Sequence, residues 1–67
     1  MLNDLGQAVY EAVIVVNEVV IATGLVVSIS EREATTAYLL KHATVVNDVP
    51  VPENRDKNDV EVLVHPF

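Results

Sequence analysis

The stretch LNDLGQAVYEAVIVVNEVVIATGLVVSI, residues 2–29, decides the fold, because it holds more than half of the apolar residues and admits two periodicities. Leu2, Leu5, Val9, Ala12, Val16 and Val19 recur at alternating spacings of three and four. Val13 and Val20 widen that stripe on one side, Ala8 and Val15 on the other. Asp4, Glu11 and Glu18 stand seven apart and form an acidic stripe opposite. This is the pattern of an amphipathic helix with a broad apolar face. Asn3 is placed to cap its start and Gly24 to end it.

Residue type argues the other way. Val13, Ile14, Val15, Val16, Val19, Val20 and Ile21 are β-branched, which lowers helix propensity and suits a pleated sheet. As strands, Val13–Val16 and Val19–Ala22 would join at Asn17-Glu18, a turn without the glycine that two-residue hairpin loops favour. The helical spacing of the acids tips the balance. The expectation is an α+β chain that begins with an amphipathic helix, and the alternative is a β-hairpin over residues 13–29 in a mainly β chain.

Downstream, Ser30-Glu31-Arg32-Glu33 matches a capping box, in which the serine hydroxyl and the glutamate side chain satisfy backbone donors reciprocally. It predicts a second helix over residues 31–43, with Lys41 and His42 at the negative end of its dipole. Thr44-Val45-Val46 reads as β-like and Asn47-Asp48 as a turn. The two prolines of Val49-Pro50-Val51-Pro52 require extended backbone. A polar run from Glu53 to Asp59 follows. Val60, Val62 and Val64 then alternate with Glu61, Leu63 and His65 as a strand that Pro66 is expected to end. Residues 44–67 are thus expected to form an extended arm or hairpin of one small domain.

Charge narrows the function classes. Four Lys+Arg against ten Asp+Glu leave a net charge of −6, with no cationic cluster anywhere. Phosphate neutralisation has no surface to act through, so nucleic acid is not an expected partner. The window Ala8–Ile29 is long enough for a membrane span, but Glu11, Asn17 and Glu18 lie inside it, and each central acid costs about 2.5–3.5 kcal/mol on insertion. No membrane span is expected. The first residues lack the basic region of a secretory signal, leaving the compartment open between cytoplasmic synthesis and a particle-bound state.

Catalytic and metal chemistry find little to work with. Cysteine is absent, which excludes disulfides and thiolate ligands. His42 and His65 show no metal-ligand spacing. The run from Asp56 fails as a calcium loop, since Val60 and Glu61 fall at its fifth and sixth positions. Ser28 and Ser30 read as helix caps, not nucleophiles. No cofactor, metal or enzymatic activity is expected.

What remains is association. A core in 67 residues contributes only roughly 3–5 kcal/mol without a staple, and a second chain is the staple still available. Leu2, Leu5, Val9, Ala12, Val13, Val16, Val19 and Val20 are the expected self-association surface. Val60, Val62, Val64 and Phe67 would form an arm able to add to a partner. The first functional expectation is a homo-oligomeric structural or assembly subunit, such as a minor, cement or filament component of a virus-like particle, alone or together with other protein subunits. The alternative is a small acidic inhibitor, of the antitoxin or anti-defence kind, with Asp4, Glu11 and Glu18 facing a basic partner site.

Overall fold

The computed structural model describes residues 5–67, so Leu2, Asn3 and Asp4 lie outside the described residues. The chain runs β1 (Ala8–Val16), β2 (Val19–Ser28), α1 (Glu31–Lys41), α2 (Ala43–Asn47) and β3 (Val60–Pro66). The three strands form one antiparallel sheet in the order β2-β1-β3. The helices lie between the hairpin and the last strand in sequence, as in a mixed α+β fold.

The expected N-terminal helix is therefore wrong: residues 8–28 form a β-hairpin. β1 is the central strand, and apolar side chains stand on both of its faces. Such a strand reads as a continuous apolar run instead of a clean alternation, and a run of that kind accommodates a helical period by accident. The β-branched residues were the truer signal. The turn does without glycine because Asn17 and Glu18 both take positive φ, 52° and 71°. That is the type I′ geometry whose twist matches the strands it joins.

Asn17 is further secured by the loop before β3. Its backbone N–H donates to the Asp59 carbonyl at 2.8 Å, and its Oδ1 accepts from the Asp59 N–H at 2.8 Å. Its Nδ2 donates to Asn58 Oδ1 at 2.9 Å, while Asn58 Nδ2 donates to the Val49 carbonyl at 2.8 Å. One asparagine thus ties the hairpin tip to the segment that delivers β3.

α1 starts where the capping box places it, with the Ser30 hydroxyl accepting from the Glu33 N–H at 3.2 Å. His42 ends it, with its backbone N–H on the Tyr38 and Leu39 carbonyls and its Nδ1 3.0 Å from the Tyr38 carbonyl. Thr44–Val46 is helical, not β-like. These residues belong to α2, where the Val46 N–H donates to the His42 carbonyl and Val46 is buried in the core. The C-terminal segment is no free arm either, because β3 pairs along β1 from Val60↔Val16 to Pro66↔Tyr10. Pro66 does not stop this pairing. The Phe67 N–H donates to the Val9 carbonyl at 3.0 Å, so the proline nitrogen, one residue earlier, faces the free edge, where no donor is required.

The core lies between one face of the sheet and the helices. Ala12, Ile14, Val16, Tyr38 and Val46 form its buried centre, flanked by Ala22, Val26, Val62 and Val64. Tyr38 sits directly over Gly24. A Cβ on that glycine would stand 3.3 Å from the Tyr38 hydroxyl, and Ala12 is the neighbouring residue across the ladder. Small residues on two adjacent strands thus make room for the aromatic ring that joins helix to sheet.

The turn yields a direct test. Replacing Glu18 with glycine removes the cost of a positive φ at a side-chain-bearing residue, about 1 kcal/mol, and should raise the urea midpoint. Asn17→Ala should lower it by more than this gain, because it removes both left-handed tolerance and the loop tether.

Candidate functional site

Successive residues of a strand point to opposite faces of the sheet. On β1, Tyr10, Ala12, Ile14 and Val16 point to the helices and are buried. The intervening residues, Val9, Glu11, Val13 and Val15, point to the other face, against which no described element packs. Cross-strand pairing extends that face. Val9 lies beside Val27, Glu11 between Leu25 and His65, Val13 between Thr23 and Leu63, and Val15 beside Glu61 and Val20. Phe67, one residue past β3, has the same parity and is 75% exposed.

This outer face is apolar where a solvated sheet is normally polar. Leu25, Val27 and Leu63 are each more than half exposed, while Ile14 on the inner face is fully buried. Contiguous apolar surface of this kind marks interaction sites more often than it is left idle in a monomer. The chain is also more open than its size requires. Its accessible surface is 4937 Å², against about 4,200 Å² for a compact chain of 7.3 kDa. Its radius of gyration, 13.5 Å, likewise exceeds the roughly 11 Å of a compact domain of this length.

Charge is placed within this surface and around it. Glu11 lies near the middle, with Oε1 3.8 Å from His65 Nε2, and both side chains are about half exposed. Glu61 lies on the β3 side, and Glu18 occupies the hairpin turn. The patch is thus apolar around one central acid, with two more acids at its margin.

The residues expected to mediate association are distributed over several surfaces. Ala12 and Val16 belong to the internal core. Val9 and Val13 lie on the outer face, with Val20 beside them on β2. Val19 and Leu5 are exposed elsewhere. Leu2 and Asp4 fall outside the described residues. Of the arm, Val62 and Val64 pack towards the helices, Val60 is exposed at the start of β3, and Phe67 extends the outer face. Val15, Leu25, Val27, Leu63 and Glu61 were not singled out from sequence. The alternation over residues 60–65 sets Leu63 and Glu61 on the face opposite Val62 and Val64, and it is the face expected to bind a partner, that of the valines, which packs on the core.

No cluster of three metal-ligating side chains occurs among the described residues. An open groove of about 570 Å³ runs beside α1, lined by residues including Ser30, Arg32 and Thr36. Its hydroxyls are engaged with backbone, Ser30 as the cap and Thr36 donating to the Arg32 carbonyl at 3.2 Å. Among the described residues no helix is long and apolar enough to cross a membrane. No family model, curated protein or solved structure matches this chain.

The two faces should respond differently to mutation. Ile14→Ala is expected to cost about 3 kcal/mol through lost burial and a cavity. Leu63→Ser should stay within about 0.5 kcal/mol of the parent, as a substitution on exposed surface does. Paired chemical-denaturation curves give both values. Equal losses would mean that the outer face is covered within the chain.

Proposed function

We propose that this chain is a small, acidic, non-enzymatic protein-binding module of the inhibitor kind, which lays its outer sheet face on a basic site of another protein. The observation that carries this reading is the apolar outer face with Glu11 inside it and Glu18 and Glu61 around it. The apolar side chains contribute affinity by burial, and the acidic groups among and around them select a basic partner and speed its encounter. The net charge of −6 acts in the same direction over longer range. The non-enzymatic part is supported by the local engagement of the serine and threonine hydroxyls beside α1.

The second reading is a structural or assembly subunit, of a virus-like particle or another supramolecular body. What favours it is the free edge of β2, an uncharged strand able to take a neighbour. The outer face favours the first reading, because Glu11 would oppose its own copy there.

The test is a binding titration against the protein that chemical crosslinking recovers from the cells making this chain. Affinity is expected to fall with rising salt. The double variant Glu11→Lys/Glu61→Lys should weaken binding at least tenfold, about 1.4 kcal/mol, and flatten the salt dependence. Leu63→Asp should weaken it by a similar factor through the apolar centre. Binding that ignores all three substitutions would refute the proposal.

A further inference from the structure

The two edges of the sheet are unlike. Along β3 the free edge is guarded by Glu61, His65 and Pro66, whose nitrogen has no hydrogen to donate. Charges and proline are the means by which proteins keep an edge strand from pairing with another chain. β2 has none of them. Its ten residues lie in the longest uncharged run of the chain, residues 19–30, in a molecule of net charge −6. One guard exists at the turn end, where Val15 pairs with Val20 but Ile14 with Ala22, leaving Ile21 as an extra residue in a β-bulge. Beyond it, Ala22–Ser28 pairs in regular register with β1, and no strand of the described residues lies along its other edge.

We propose that β2 pairs antiparallel with β2 of a second copy of this chain, about a two-fold axis at Leu25, joining two sheets into one of six strands. The axis follows from the regular stretch: pairing Ala22–Ser28 with itself places Leu25 opposite its own counterpart. Like charge decides between this arrangement and a face-to-face dimer. Stacked outer faces would press Glu11 of each copy into an apolar interface with only the half-exposed His65 of its own chain beside it, and two carboxylates brought together there are costly to desolvate. Edge pairing leaves the two Glu11 residues three strand spacings apart, about 14 Å, beyond the roughly 8 Å screening length of physiological salt. The uncharged strand is thus the surface on which an acidic chain meets itself without repulsion. The dimer uses the edge of the sheet and leaves the outer face free, so it stands or falls independently of the proposed partner binding.

The chain contains no cysteine, which makes a site-directed crosslink clean. Residues directly opposite in an antiparallel pair have Cα atoms about 4.5–5.5 Å apart, within the range a disulfide spans. Leu25→Cys should therefore convert to a covalent dimer under mild oxidation, while Leu63→Cys, on the outer face, should not. Sedimentation of the parent chain should give a mass twice 7.3 kDa at high micromolar concentration. Leu25→Lys sets two ammonium groups opposite each other and should raise the dimer dissociation constant about tenfold or more. Thr23→Lys provides a second variant, and circular dichroism verifies that each remains folded. A parent chain that stays monomeric at high micromolar concentration overturns the proposal. So does a dimer indifferent to both lysines, or one crosslinked more readily through Leu63→Cys.

Discussion

β1 is paired with β2 along all nine of its residues and with β3 along seven of them, Tyr10 to Val16, and the rest of the molecule is arranged around that double ladder. A strand as apolar as AVYEAVIVV is stable in water only when its backbone donors and acceptors are matched on both sides. The hairpin turn provides one partner immediately. The other must come from the far end of the chain, which passes through α1, α2 and a polar loop before β3 reaches the opposite edge. β2 and β3 are both antiparallel to β1, so the helices form a crossover between two strands that run parallel with a third between them. Asn17 is central to this arrangement, since it serves the turn and also holds the loop that brings β3 home.

Helices packed on a single face make the molecule a two-layer structure. Tyr38 reaches the sheet because Gly24 and Ala12 are small, and the buried centre is correspondingly narrow. A core of this width covers one face and leaves the other to solvent or to a partner. The sheet is also longer than its cover: ten residues of β2 span about 33 Å, while the eleven residues of α1 span about 16 Å.

The result is two surfaces with different electrostatic requirements. The outer face mixes valines and leucines with glutamates, a combination that repels itself and suits a basic counterpart. The outer edge of β2 offers hydrogen-bonding backbone without charge, a combination that tolerates its own copy. In a chain of net charge −6, the position of the acids distinguishes the two surfaces more sharply than apolar area does, because both are apolar.

Local signals were sufficient for some elements. The Ser30 capping box marked the start of α1, and the alternation over residues 60–65 identified β3 as a strand, since both depend on contacts between near neighbours in the chain; which of its residues face inward was not legible there. Charge and the lack of cysteine likewise restricted the expected chemistry without reference to any fold. The N-terminal half was not legible in the same way. Valines at both parities of β1 satisfied a helical period as well as an extended one, and the choice between them depended on β3, more than forty residues away, filling the second edge. Thr44–Val46 turned helical for a similar reason, because burying Val46 against the sheet outweighed the β preference of its residues. The outer face is a product of tertiary structure alone. No local pattern reveals that the helices cover one side of a sheet, and only their placement leaves Val9, Val13, Leu25 and Leu63 together in the open.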